Sequence, residues 1–207
     1  LYNTLPALLQ TATLSIPVFF MARHFGEETT GQFNLCRQTV FLPVTFFATT
    51  WMQVYMQRAS RTVVERNEVM PGLRRSMSAL VLMASVLAIT LVVGGPALFH
   101  LVFGEAWVEA GQFARIMAIP IALQFVVIPL TVLLPALGHI KGLSVWQVLY
   151  FLLVAAYGTL PVDVAATYLR WLAVVESLSL LGLLVYIVRM AQRHDRDLRA
   201  DDPSPAA

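Results

Sequence analysis

Residues 76–104 read SMSALVLMASVLAITLVVGGPALFHLVFG and contain no Asp, Glu, Lys or Arg. A helix needs roughly 20 apolar residues to cross the ~30 Å hydrocarbon core of a membrane, so this stretch is long enough to span one. Four other stretches are also free of these charges: 1–22, 38–57, 116–140 and 142–162. A sixth apolar stretch, Val164–Val188, contains only Arg170 and Glu176. The pattern predicts an all-α, polytopic membrane protein.

The composition favours the same class. Hydrophobic residues make up 58% of the 207 residues and charged residues 13%, whereas a soluble domain has about 25% charged residues. Strands are excluded, because only closed barrels place strands in lipid and these stretches show no alternation with a period of two. We expect a bundle of six transmembrane helices over residues 1–190, with spans near 4–22, 33–57, 77–102, 110–137, 142–160 and 164–189.

The basic residues predict the orientation. Connections on one side of these spans contain ten of the 14 basic residues: Arg58, Arg61, Arg66, Arg74, Arg75, Lys141, Arg189, Arg193, Arg196 and Arg199. The opposite connections contain Arg23 alone, with five acidic residues. Cytoplasmic connections are enriched in Lys and Arg, so both ends of the chain are predicted to be cytoplasmic. Residues 191–207 are charged and then proline-rich, which predicts a disordered tail.

A short phrase occurs twice in the chain. Residues 25–33 read FGEETTGQF and residues 103–113 read FGEAWVEAGQF. Both copies fall in predicted outer connections, where Gly26 and Gly104 suit helix ends because glycine adopts conformations with positive φ. Each copy is followed by an arginine, Arg37 or Arg115, and then by a proline. The repetition predicts a helical hairpin unit used twice.

With their flanking helices, FGEETTGQFNLCRQTVFLPVTF and FGEAWVEAGQFARIMAIPIALQF resemble the carboxy-terminal half of bacterial oligosaccharide flippases. These are the O-antigen and capsule-type polysaccharide transporters of the multidrug/oligosaccharidyl-lipid/polysaccharide exporter superfamily. Members have about twelve or more helices in two bundles, so the resemblance implies that this chain, which begins at Leu1, is half of such a transporter.

The resemblance also implies a function. The expected activity is alternating-access movement of undecaprenyl-pyrophosphate-linked oligosaccharide across the bacterial cytoplasmic membrane, for cell-surface polysaccharide biosynthesis. The expected partners are that substrate, membrane lipids and the polysaccharide polymerase machinery, with no nucleic acid and no cofactor.

Charged residues within the predicted spans are the candidate site residues, because a charge in hydrocarbon usually faces a cavity or a partner. The guanidinium fork of arginine matches phosphate oxygens, so Arg37, Arg115 and Arg170 are candidates for binding a pyrophosphate headgroup. Each arginine could instead extend to the membrane surface or pair with an outer glutamate. Glu176 is a candidate for coupling transport to protons or sodium, or equally for a structural ion pair with an arginine.

A polar stripe accompanies Arg37. Asn34, Gln38, Thr45, Thr49 and Gln53 recur at spacings that place them along one face of the second helix. Such a stripe can line a hydrophilic passage for sugars, with Asn34 and Gln38 as substrate contacts. It can also hold neighbouring helices together through hydrogen bonds. Prolines are expected to interrupt several spans, most sharply at Gly94-Gly95-Pro96.

Other classes of function fit less well. The predicted outer connections are short, and the four histidines are scattered without a cysteine partner, so neither a membrane enzyme nor a metal site is predicted. No glycine-rich phosphate loop of the ATPase type is present. Two alternatives to the flippase remain: a cation-coupled multidrug exporter of the same superfamily, which would favour acidic residues in its lumen, and a non-transporting membrane scaffold.

Overall fold

The computed structural model describes residues 4–201, apart from the side chains of residues 4–11, 14 and 42. The described residues form seven α-helices and no strand: α1 Thr4–Val64, α2 Met70–Phe103, α3 Val108–Ile116, α4 Ala118–Leu130, α5 Leu133–Ala136, α6 Ile140–Gly158 and α7 Ala165–Asp201. A 3₁₀ turn, Glu105–Trp107, joins α2 to α3. The all-α prediction is confirmed.

Four helical segments of the described chain are long and apolar enough to cross a membrane: Met70–Phe103, Ala118–Ala136, Ile140–Gly158 and Ala165–Asp201. They overlap the last four predicted spans. The first two predicted spans lie in α1, which is not among these four and which is divided by a kink at Gly26. The connection expected over residues 23–32 corresponds to this kink, where two helices meet at Gly26, and six membrane crossings remain a prediction.

The surface of α2 shows why a membrane is needed. Large apolar side chains cover much of its outer face, including Leu82, Ile89, Val93 and Leu101, which are 69%, 63%, 73% and 80% exposed. The opposite face of α2 buries Leu73, Leu80, Ala84, Leu91 and Phe99 in the bundle. Water would disfavour so continuous an apolar surface, whereas hydrocarbon accepts it.

The connections predicted to lie on one side meet at one end of the bundle. At the end that holds the repeated phrases, the motif end, His24 Nε2 lies 3.0 Å from the carbonyl oxygen of Gly158 and the ring of Phe25 contacts that of Tyr168. At the opposite, basic end, the Glu68 carboxylate pairs with Arg199 at 2.7 Å. This arrangement agrees with helices that run up and down through the bundle.

The predicted fourth span, 110–137, is divided into α3, α4 and α5. The helix breaks at Met117, with φ −84° and ψ 2°, and again at a turn containing Thr131 and Val132. Pro120 and Pro135 follow these two breaks closely, and a proline lacks the amide hydrogen of the helical ladder and clashes with the preceding turn. This span is therefore discontinuous, as the prolines predicted.

The sharpest break was expected at Gly94-Gly95-Pro96, and this prediction is wrong because α2 is continuous through all three residues. The two glycines have a packing role instead. A Cβ atom added to Gly95 would lie 2.7 Å from the Gly111 carbonyl oxygen, and one added to Gly111 would lie 2.6 Å from that of Gly95. Small residues allow membrane helices to approach this closely, so α2 and α3 touch through their backbones.

The predicted disordered tail is helical over residues 191–201, because α7 continues to Asp201; residues 202–207 lie outside the described residues. This extension packs on the basic end. The buried Asp195 carboxylate accepts hydrogen bonds from the Val69 and Met70 amides, at 2.8 and 3.0 Å. Amides at a helix start lack partners within the helix, so Asp195 caps α2 and holds the extension in place.

The ion pair beside this cap should respond to pH. The Arg199 guanidinium holds the pKa of Glu68 below its ordinary value. The pair is therefore complete above the usual glutamate pKa and is lost as pH falls through the lowered value. We expect a nitroxide at Ala200 to become more mobile over that acidic range, as followed by electron paramagnetic resonance.

The control is Glu68→Gln, which removes the titrating carboxylate. Its label should be mobile at neutral pH and should change little on acidification. An acid transition of equal size in Glu68→Gln would contradict the assignment to this ion pair.

Candidate functional site

The two copies of the repeated phrase adopt matching turns. Gly26 has φ 79° and ψ −178°, and Gly104 has φ 94° and ψ 178°. Only glycine adopts this region without strain, which explains the glycine after each phenylalanine. Positive φ was predicted for both residues and is confirmed, although ψ is extended rather than left-handed helical.

A single glutamine joins the two copies. Gln32, in the first copy, donates a hydrogen bond to the Ala106 carbonyl at 2.6 Å and accepts one from the Ala110 amide at 3.1 Å. Its counterpart Gln112 is exposed. Sequence reasoning did not select Gln32, although repetition of the phrase was a signal that the two copies have related surroundings.

Gln32→Leu should therefore destabilise the motif end more than Gln112→Leu does. The first substitution removes the side-chain amide of Gln32. It leaves the buried Ala110 amide without a partner, at a cost of about 1–3 kcal/mol, whereas water can reach the carbonyl of the exposed Ala106. The check is the melting temperature of each variant in detergent. Equal melting temperatures for both variants would show that the two hydrogen bonds do not stabilise the fold.

The second part of α1, after Gly26, has one buried face and one polar face. Its buried face consists of Phe33, Cys36, Val40, Val44 and Ala48. Asn34, Gln38, Thr45, Thr49 and Gln53 are all exposed. The predicted polar stripe therefore faces away from the core of this bundle and does not hold its helices together.

Arg37 lies between these two faces and is half-buried. Its guanidinium lies over the rings of Phe33 and Phe41, with centroid distances of 5.7 and 5.4 Å. These cation–π contacts favour a charged group that is partly removed from water. The sequence placed Arg37 beside the stripe, and the structure agrees.

Across the interface with α6 and α7, the charge of Arg37 interacts with Glu176. Glu176 is 6% exposed and lies close to Tyr150 on α6. Its Oε2 atom has no hydrogen-bond partner among the described residues. The structure thus brings together the two charged residues that the sequence selected separately, and both the ion-pair and the ion-coupling interpretation of Glu176 stay predictions.

Neighbouring aromatic residues position Tyr150, which the sequence analysis did not select. Its ring stacks on Trp146, with centroids 5.2 Å apart and planes 10° from parallel. The Trp146 indole N–H donates to the Ser179 carbonyl on α7 at 3.0 Å. The spacing of four residues between Trp146 and Tyr150 was the available signal, since side chains four apart share a helix face.

Arg115 contacts the backbone of α2, and its predicted contact with a substrate stays a prediction. Its Nε donates to the Val92 carbonyl at 2.7 Å, and Nη2 lies 3.5 Å from that of Val93. Val92 precedes Pro96 by four residues, so its carbonyl would normally accept the amide hydrogen that proline lacks. Arg115 supplies the missing donor, and this bond explains the residue without a substrate.

The three arginines do not share one set of neighbours. Arg37 lies near Glu176, Arg115 contacts α2, and Arg170 is exposed near the beginning of α7. The candidate site is therefore the polar face of α1, made of Asn34, Gln38 and the rest of the stripe, together with Arg37, the buried Glu176 and the partly buried Tyr150. We call this surface the α1 polar face.

Four helical segments are long and apolar enough to cross a membrane, and the outer surface of α2 is apolar, so the chain is a helical membrane protein. Residues 1–112 match a protein family described as polysaccharide biosynthesis proteins. The match covers more than half of the chain, which therefore belongs to that family. No curated protein and no solved structure matches the chain.

Proposed function

We propose that this protein is part of a flippase that moves undecaprenyl-pyrophosphate-linked oligosaccharide across the bacterial cytoplasmic membrane. The observation that carries the proposal is the α1 polar face. Five polar side chains point away from the core of a membrane bundle, and although the Thr49 hydroxyl bonds its own helix, hydrocarbon would leave the side-chain amides of Asn34, Gln38 and Gln53 unsatisfied. A hydrated passage satisfies them, and sugar hydroxyls can replace the water.

The charges fit an anionic lipid-linked substrate. Arg37 lies beside the passage and is only half-buried, and its planar guanidinium is the group that suits phosphate oxygens. A headgroup with two negative charges that moves outward gains ~2.3 kcal/mol per charge per 100 mV of inside-negative potential. The protein then has to shelter the sugars and phosphates from hydrocarbon. Family membership in polysaccharide biosynthesis supports this substrate class.

The passage needs a second wall. The α1 polar face is open in this bundle, so a further bundle of the same transporter would complete the lumen, with its own polar side chains opposite the stripe. Both ends of the present bundle would then be cytoplasmic, since the basic end contains most of the Lys and Arg residues. In this arrangement Arg170 would lie near the outer surface, where it could contact substrate on release.

Glu176 would allow the same site to couple transport to an ion gradient. Its unpaired Oε2 is a position at which a proton or a sodium ion could bind when the interaction with Arg37 weakens. Substrate phosphate near Arg37 would compete with Glu176 for the guanidinium and so leave the carboxylate to bind a cation. Coupling of transport to an ion gradient would follow from this exchange of partners.

The test uses the full-length protein in liposomes with a labelled undecaprenyl-pyrophosphate oligosaccharide. Asn34→Leu/Gln38→Leu removes two polar groups from the α1 polar face. The matched control is Ser85→Leu/Thr90→Leu on the exposed side of α2, where both hydroxyls bond only to their own helix. Flipping should fall about tenfold or more in the first variant, because two unsatisfied sugar contacts cost about 1.4 kcal/mol or more together. The control should retain the wild-type rate.

Equal rates in all three proteins would remove the α1 polar face from the substrate path. Transport of a drug cation with no movement of the oligosaccharide would replace the flippase by the multidrug exporter. Wild-type protein that moves neither substrate would favour a scaffold.

A further inference from the structure

A crevice at the basic end is separate from the α1 polar face. It has a volume of about 430 Å³ and lies between the end of α1 and the beginning of α2, with Leu133 of α5 at its floor. Buried Tyr55 and Ala59 also line its apolar part. Charged residues lie at its rim, so the crevice is apolar inside and charged at its mouth.

The charges at the rim do not cancel. Three arginines and two glutamates line the crevice: Arg58, Arg61, Arg75, Glu65 and Glu68. Glu65 is paired with Arg61 at 2.6 Å, and Glu68 is paired with Arg199, which comes from outside the crevice. Both carboxylates are therefore neutralised, and the positive charges of Arg58 and Arg75 remain without an acidic partner among the described residues.

Other groups at the rim also suit an anion. The crevice includes Gly72 and Ser76 from the first turns of α2. The Ser76 hydroxyl is a further donor, whereas the N-terminus of α2 is already capped by the Asp195 carboxylate, so the positive charge of the crevice comes from the two arginines. A Cβ atom at Gly72 would meet nothing within 4 Å, so the space above this turn is open.

We propose that this crevice binds the phosphate group of an anionic membrane lipid. Arg58 and Arg75 would contact the phosphate, and the aromatic part of the crevice, with Trp51 and Tyr55, would contact the glycerol and the first carbons of the chains. Trp and Tyr commonly lie at the depth of lipid headgroups, and paired arginines recognise phosphate through their donor forks. The site is independent of what the protein transports.

Native mass spectrometry of the full-length protein in mild detergent tests the proposal. The probes are phosphatidylglycerol and the zwitterionic phosphatidylcholine. Arg58→Gln/Arg75→Gln should weaken phosphatidylglycerol binding about tenfold or more, since each basic residue near a lipid surface contributes measurably to anion binding. Arg58→Lys/Arg75→Lys keeps the charge without the fork and should recover part of the affinity.

The matched control is Arg189→Gln/Arg193→Gln, which removes the same charge from exposed residues at the same end of the bundle. Its affinity should equal that of the wild type. An equal loss in both glutamine variants would mean that diffuse surface charge binds the lipid, and it would overturn the proposal. Equal binding of phosphatidylcholine and phosphatidylglycerol by the wild type would overturn it as well.

Inorganic phosphate identifies the part of the ligand that is recognised. Displacement of phosphatidylglycerol by millimolar inorganic phosphate, abolished in Arg58→Gln/Arg75→Gln, would support recognition of the phosphate group alone. Persistence of the lipid under the same conditions, with the same loss of lipid in the variant, would support recognition of the phosphate together with the lipid chains.

Discussion

Gly111→Ala should nearly abolish folded protein. The added Cβ atom would lie 2.6 Å from both the Gly95 carbonyl oxygen and the Pro96 Cα atom. Both are backbone atoms, so a change of rotamer cannot relieve the overlap and α2 must move away from α3. Overpacking of a core costs about 1–3 kcal/mol when side chains can adjust, and more is expected here. The measurement is the yield of monodisperse protein on size-exclusion chromatography, together with its melting temperature.

The repeated phrase provides the control. Gly31 occupies the same place in the first copy, is helical, and has nothing within 4 Å of an added Cβ atom. Gly31→Ala should therefore be neutral or slightly stabilising, since alanine favours a helix by up to about 1 kcal/mol over glycine. Normal yield and melting temperature for Gly111→Ala would show that α2 and α3 do not make this contact.

Arg37→Gln should destabilise the bundle by roughly 3 kcal/mol or more, because it removes the positive charge that acts on the buried Glu176 carboxylate. Glu176→Gln should cost less, since glutamine is neutral and still has an oxygen for Tyr150. In the double variant the melting temperature should recover part of the loss. A double-mutant cycle on melting in detergent measures this coupling.

Arg170→Gln is the control for loss of an arginine, since Arg170 is exposed, and its melting temperature should stay near the wild-type value. Additive losses for Arg37→Gln and Glu176→Gln would contradict the ion pair. The stable double variant also separates structure from transport. A folded protein that no longer flips oligosaccharide would assign substrate contact to Arg37 or ion coupling to Glu176, whereas normal flipping would leave the pair a structural role.

The sequence predicted those features that depend on composition and short-range pattern. Charge-free stretches located the apolar helices, since the length needed to cross a bilayer is fixed. The glycines of the repeated phrase predicted positive φ at Gly26 and Gly104, because the constraint is local. The spacing from Asn34 to Gln53 predicted a common face, and that face is exposed in the structure.

Features that depend on contacts between distant residues could not be predicted in this way. Gln32 and Gln112 have the same neighbours in sequence, yet one is buried and the other exposed, because the two helices turn different faces to the core. The link between Arg37, Tyr150 and Glu176 requires α1, α6 and α7 to be placed together. The sequence also did not show that the two helices of α1 meet directly at Gly26, without a longer loop between them.

The bond from Arg115 to the Val92 carbonyl makes two positions dependent on each other in evolution. An alanine at position 96 would restore the amide hydrogen that Val92 needs, and Arg115 would then be dispensable for α2. Arg115→Ala should accordingly lower the melting temperature less in a Pro96→Ala protein than in the wild type, and additive effects would refute the dependence. Relatives can lose the arginine safely only after they have lost the proline, so the order in which the two substitutions arise is constrained.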